Sequence, residues 1–227
     1  MTEALQPLLL TLKVSALATL LALVAGVACA RALGRRRGLA RDVAESLLTL
    51  PLVLPPTVLG YYLLVVLGRN GAIGGWLHAN FGISLIFTWQ GAVIAAAVAA
   101  FPLTLRAARA AFAEVDAQFE QAARTLGLTE AAVFFRISLP LAWRGVCAGA
   151  LLAFARAMGE FGATLMVAGS LPGRTQTLSI AIYNAVMAGD DATAQTLVLI
   201  SLVTAVVILI LAARLLQRAP RGMQDAV

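Results

Sequence analysis

Five stretches of this chain run for twenty residues or more with scarcely a charge: 8–30, 43–67, 87–108, 143–168 and 194–216. A helix needs roughly 20 apolar residues to cross the hydrocarbon core of a bilayer, so each stretch is long enough to span it. In a 227-residue chain that is 61% hydrophobic and 12% charged, this much apolar surface cannot be hidden inside one water-soluble core. Lipid must solvate it. The expected fold is therefore an all-α integral membrane domain over 8–216 with five spans and short tails at 1–7 and 217–227. A further apolar run, 178–188, is too brief to cross. It reads as an interfacial or re-entrant segment, or as the tail of a longer bent helix that would make a sixth span. The first run is preceded by Glu3 and no basic group and outlasts a secretory h-region, which argues against a cleaved signal.

The net charge is +6, and every basic residue but Lys13 is an arginine. Arg31, Arg35, Arg36, Arg37 and Arg41 lie between the first two runs. Arg106, Arg109, Arg124, Arg136 and Arg144 surround the connection after the third, and Arg214, Arg218 and Arg221 follow the last. The alternate connections hold only Arg69 and Arg174, with Asp190 and Asp191 beside them. Arginine-rich connections stay in the cytoplasm, which puts the N-terminus outside and the C-terminus inside. The same segregation is the mark of topology rather than of a nucleic-acid surface. Trp76, Phe81, Phe87 and Trp89 gather at the outer boundary, where amphipathic rings favour the headgroup layer, and Lys13 is placed to snorkel there.

Several chemistries find no residues to support them. Cys29 and Cys147 lie in or beside apolar runs and read as free thiols. His78 is the single histidine, so neither a metal site nor a catalytic dyad is assembled around it. The one lysine, Lys13, follows Leu12, whereas a phosphate-binding loop needs Gly-Lys-Ser or Gly-Lys-Thr. Any ATP-derived energy must come from another chain.

Two places inside the runs are unusual. Pro51, Pro55 and Pro56, followed by Gly60, interrupt the second run. Each proline removes a donor and crowds the preceding turn, so the helix must kink or unwind there. Carbonyls freed at membrane depth need protein or a wet cavity beside them, so 50–60 faces the bundle interior, either as a merely bent helix or as the lining of a pathway. Pro102 in the third run invites the same argument with less force. Arg156 and Glu160 stand four apart in the fourth run and so share a helical face. Charges at that depth cost several kcal/mol and must face the interior. They either staple the bundle or, with Arg156 attracting an anion and Glu160 moderating it, serve a path. Thr57 and Thr164 offer hydroxyls to such an anion or bond only to their own helices.

The connection 109–142 is long and patterned. Phe112, Val115, Phe119, Ala122 or Ala123, and Leu126 recur at helical spacing and draw one apolar stripe, with Glu114, Asp116, Glu120 and Arg124 on the other faces. The helix is expected to break at Gly127, restart near Glu130 and end before Pro140. Small residues at Ala122, Ala123 and Gly127 let another backbone approach closely, so the element either packs on its own bundle or docks in a partner's groove.

The run Gln121-Ala122-Ala123, then Gly127, Ile137 and Leu139-Pro140, is similar to the E-A-A-x3-G-x9-I-x-L-P signature of bacterial ABC importer permeases. Here Gln121 stands where the signature has Glu, with Glu120 one residue earlier. The stretches 50–56 with Gly60-Tyr61, 68–74, 81–83, and Phe154-Ala155-Arg156 leading to 159–164 resemble the molybdate branch of that family, and with the loop they cover nearly the whole chain. Sulfate and thiosulfate permeases share parts of these segments, and tungstate is chemically too close to molybdate to be told apart by any residue. The resemblance implies a type I permease core that couples to an ATPase through Glu120, Gln121, Ala122, Ala123, Gly127, Ile137, Leu139 and Pro140. It also implies a homodimer, two ATP-binding subunits that hold the ATP and Mg, and a periplasmic molybdate-binding protein. The expected pathway residues are Pro55, Pro56, Thr57, Gly60, Arg156 and Glu160, with no metal site and no cofactor in this chain. An ion-coupled secondary carrier is the rival, but Glu160 is the only acid well inside a run and no inverted repeat is apparent. A membrane protease would need a nucleophile with a base, and no histidine lies in any run.

Overall fold

A computed structural model describes residues 2–34 and 38–217, so Arg35, Arg36, Arg37, Arg218 and Arg221 of the topology argument lie outside the described residues. Among the described residues every regular element is helical: α1 Thr2–Leu33, α2 Leu39–Val53, α3 Pro56–Leu67, α4 Ala72–Phe81, α5 Trp89–Glu114, α6 Ala117–Thr125, α7 Glu130–Val133, α8 Leu139–Met158, α9 Gly162–Ala168, α10 Leu178–Met187 and α11 Asp191–Gln217. Ala4–Leu33, Trp89–Glu114, Glu130–Met158 and Asp191–Leu211 are each long and apolar enough to cross a bilayer. Leu39–Val53 and Pro56–Phe81 form a broken pair whose axes meet at 111°, which makes a fifth crossing when the two are counted as one span. At ten residues α10 is too short to cross, and a turn at Ala188–Asp190 separates it from α11.

Helix α5 is the central post. Two-thirds (67%) of its most apolar window is buried, against 11% for α11, most of whose apolar surface the rest of the chain leaves uncovered. Small residues make the burial possible, because lipid gives apolar side chains no reason to leave it and close backbone packing must supply the attraction. Ala18 and Ala22 of α1 meet Ala92, Ala96 and Ala100 of α5. Where these helices cross, a Cβ on Gly26 would strike Thr104 Oγ1, which donates to the Ala22 carbonyl at 2.7 Å. On the other side Gly145 and Gly149 of α8 abut Ala111 and Ala107. Pro102 is accommodated without interrupting α5.

The two ends of the bundle differ in charge. Arg31, Arg41, Arg109 and Arg124 line one cleft of about 380 Å³, and Arg109 also pairs with Glu45 of α2. At the other end Arg69 donates to His78 Nε2, and Trp76 stands edge-on to Phe81 at 5.6 Å. Lys13 does more than snorkel, since its Nζ lies 3.6 Å over the Trp89 ring and so ties α1 to the start of α5.

Three sequence expectations are corrected. The fourth apolar run is not one helix over 143–168: the span is Glu130–Met158, and the chain breaks at Gly159–Phe161 before α9. The stripe from Phe112 to Leu126 is shared by two helices, because α5 ends at Glu114 and Asp116 caps α6 by accepting from the Gln118 amide at 2.9 Å. No helix ends before Pro140. That proline lacks the amide that would bond Arg136, the ladder slips to five-residue spacing, and Leu139 donates to the Phe134 carbonyl through a π-helical turn, Phe134–Ser138, that runs on into α8.

Candidate translocation and coupling site

The two helix breaks lie against each other. Helix α2 ends at Val53, Pro55 stands at the N-cap of α3 and Pro56 opens it, and Pro56 packs on Gly162, the first residue of α9. A Cβ on Gly162 would come within 2.8 Å of the Pro56 Cβ. One turn along, Gly60 is buried, and a Cβ there would lie 2.7 Å from the Met166 Cβ and 2.9 Å from the Ala163 Cα. The glycines thus let α3 and α9 meet nearly backbone to backbone. Pro55, Pro56 and Thr57 remain exposed at the break, with Val53 at 79% exposure just before them.

Arg156 and Glu160 are paired, Nη1 to Oε2 at 2.6 Å, but not across the face of a continuous helix. Glu160 lies past the end of α8, which terminates at Gly159. Its Oε1 accepts from the Ala163 amide at 2.9 Å and so serves the first turn of α9. Glu160 is 3% exposed while the Arg156 side chain keeps 31%. The carboxylate is locked in protein, whereas the Arg156 side chain stays partly accessible. Thr164, with 1% exposure, is sealed within the packing of α9 and presents no hydroxyl to a path. Sequence reasoning passed over Gly162 as a packing residue, although a glycine two residues after the only mid-run acid was a usable signal.

The second part of the site is α6 and its return. After Thr125 the chain closes in a Schellman arrangement, Gly127 N to Arg124 O at 3.0 Å and Leu128 N to Ala123 O at 3.1 Å. This places Gly127 at φ +82°, a left-handed conformation that glycine adopts without a Cβ penalty. Ala123 is buried against the protein, whereas Gln121, Ala122 and Leu126 are exposed, as is Phe119. Glu120 accepts from Ser138 Oγ at 2.8 Å and fastens α6 to the π-helical turn. Ile137 and Leu139 are half-buried beside it, and Pro140 is exposed. Arg124 makes a two-pronged contact with Glu130, Nε–Oε1 2.6 Å and Nη2–Oε2 3.2 Å. That carboxylate holds the guanidinium above its ordinary pKa. One edge of the element packs on its own bundle, and an apolar edge stays uncovered.

No group of three or more His, Cys, Asp and Glu side chains among the described residues is disposed to hold a metal ion. The arrangement of broken apolar helices, a charge pair at the break and a protruding capped helix at the arginine-rich end defines a polytopic membrane transport component.

The comparisons assign the family. Residues 22–221 match the family described as binding-protein-dependent transport system inner membrane component, and the chain belongs to it. It is thus a multi-pass protein of the bacterial inner membrane. It is 47% identical to the molybdenum transport system permease protein ModB of Escherichia coli K12 over 207 residues, covering 91% of this chain and 90% of that one. To ModB of Haemophilus influenzae it is 41% identical over 215 residues, 94% of each chain. Among solved structures, the inward-facing MetNI methionine ABC transporter superposes with a TM-score of 0.75 over 97% of this chain and 98% of that one. At 16% identity this likeness bears on the fold alone, which is that of an ABC importer permease.

Proposed function

We propose that this chain is the permease subunit of an ATP-driven importer that carries molybdate across the inner membrane by alternating access. The cargo assignment rests on the identity to the Escherichia coli molybdenum permease, sustained along almost the whole of both chains. The working assembly is two copies of the chain, two ATP-binding subunits that hold ATP and Mg, and a periplasmic molybdate-binding protein. The N-terminus faces outward, a reading supported by the arginines gathered around the cleft and around α6.

In this reading the exposed edge of α6, with Phe119, Gln121, Ala122 and Leu126, seats in a groove of the ATPase subunit. Closure of the ATPase pair on ATP moves α6, and the bundle exchanges inward for outward access. The breaks at Pro55 and Gly159 are where the path runs between the two copies, a reading supported by the packing of Pro56 on Gly162 and by the exposure of Pro55, Pro56 and Thr57. Arg156 supplies positive potential to a passing dianion, and buried Glu160 keeps the site too weak to trap it.

The test is reconstitution of the complete complex in proteoliposomes. Molybdate uptake should require ATP and the binding protein, and unlabelled tungstate should compete more strongly than sulfate. Stronger competition by sulfate would move the chain to the sulfate and thiosulfate branch. Uptake driven by an ion gradient without the ATPase would replace the importer with a secondary carrier.

A further inference from the structure

The Glu130 carboxylate is held from two sides by elements far apart in sequence. Arg124 of α6 grips it with two nitrogens, and Arg31, at the end of α1 and ninety-nine residues from Glu130, donates Nη2 to Oε2 at 3.1 Å and to the Glu130 carbonyl at 3.3 Å. The Arg31 guanidinium also lies 5.2 Å over the Phe134 ring, on the π-helical turn to which Glu120 fastens α6. Thr129 caps the short helix that carries Glu130, its hydroxyl accepting from the Ala132 amide at 3.3 Å, which sets the carboxylate's starting point.

Helix α1 is itself locked to α5 by the Gly26–Thr104 crossing and the alanine seam above it. A displacement of α6 therefore has two routes into the bundle: through the backbone at Gly127 into α8, and through Arg124, Glu130 and Arg31 into the α1–α5 pair. Exposed ion pairs of this kind add little to stability, and the Glu130 side chain is 61% exposed. Their geometry nevertheless links the helices, since carrying the carboxylate away with α6 would break its contacts with Arg31.

We propose that Glu130 is the positioning residue that transmits movement of α6 to α1, so that ATP hydrolysis and opening of the path stay coupled. The proposal rests on α6 being the ATPase dock. Its role is distinct from docking, because Glu130 stands behind α6 rather than on its exposed edge.

The experiment uses the complete complex in proteoliposomes, with ATP hydrolysis and molybdate uptake measured together. The unaltered complex is the control: no ATP-dependent uptake there would sink the importer reading itself, whatever Glu130 does. Given that control, Glu130→Gln should keep the ATPase bound and its basal hydrolysis near normal while uptake per ATP falls about fivefold or more, within the usual span of a coupling between sites. Glu130→Asp should restore most of the ratio. Arg31→Gln should give the same uncoupling, and the double variant Arg31→Gln with Glu130→Gln should be no worse than either single one, because the two remove one shared contact. An unchanged uptake-to-hydrolysis ratio in both single variants would overturn the proposal. So would loss of the ATPase from the Glu130→Gln complex, which would make the residue part of the dock.

Discussion

Gly162 lies so close to Pro56 that a Cβ added to it would sit 2.8 Å from the proline's Cβ, well inside van der Waals contact. The first residue after one helix break is thereby pressed against the first residue after the other. Gly162→Ala should push α9 from α3, with an overpacking cost of about 1–3 kcal/mol. The expected outcome is a lower melting temperature of the purified complex together with reduced uptake. A melting temperature and uptake equal to those of the unaltered protein would mean that the two breaks are free to part.

Arg156→Met strands the Glu160 carboxylate in protein, at less than the cost of about 3–5 kcal/mol for breaking a fully buried pair, because the arginine is partly exposed. Adding Glu160→Gln removes the stranded charge yet keeps an oxygen for the Ala163 amide, which a fully apolar replacement would not. Uptake at matched permease levels should recover only partly in the double variant, because the stranded charge is gone but the positive potential is not restored. Full recovery would leave the pair a staple alone and take Arg156 out of the path of the ion.

At Gly127 an added Cβ meets no atom within 4 Å, so φ +82° is the only intramolecular constraint there. Gly127→Val should leave insertion intact and damage coupling, because a β-branched residue resists that conformation by about 1–2 kcal/mol or more. Gly127→Asn separates two causes, since Asn tolerates the left-handed region. Normal ATPase stimulation with Asn and a loss with Val would assign the requirement to the backbone. Loss with both would assign it to close approach by the partner, and normal uptake with Val would remove Gly127 from the coupling element.

Topology can be read by cysteine labelling at Gly38, in a background lacking Cys29 and Cys147. The position should be reachable only from the cytoplasmic side. Arg35→Glu with Arg36→Glu and Arg37→Glu should produce mixed orientation, because that loop holds much of the positive-inside signal. Outside labelling of the otherwise unaltered chain would invert the orientation argued above.

Much of this was legible in sequence because it depends on local rules. Apolar length located the crossings, prolines located the first break, and the spacing around Gly127 located the capped turn. The break at Gly159–Phe161 was concealed because apolar composition continues through it, and an Arg and a Glu four apart look like a helical pair whether or not the helix continues between them. The end of α5 was hidden likewise: Phe112, Phe119 and Leu126 keep helical spacing across a two-residue interruption that only the Asp116 cap betrays. The contact of Arg31 with Glu130 has no local signal, since it joins residues ninety-nine positions apart.

The π-helical turn at Phe134–Ser138 sets the rotational phase of everything before it relative to α8. A π turn behaves as one residue inserted into an α-helix, and one residue is about 100° of rotation. Deleting a single residue between 134 and 138 would remove the inserted residue, leave one carbonyl still unbonded by Pro140, and keep the apolar face of α8 beyond that proline unchanged. It would also swing the Glu130 carboxylate roughly a quarter-turn around the axis, away from both arginines. The extra residue is thus a gear setting: one tooth of the helix decides whether the segment that follows α6 meets α1 or turns past it.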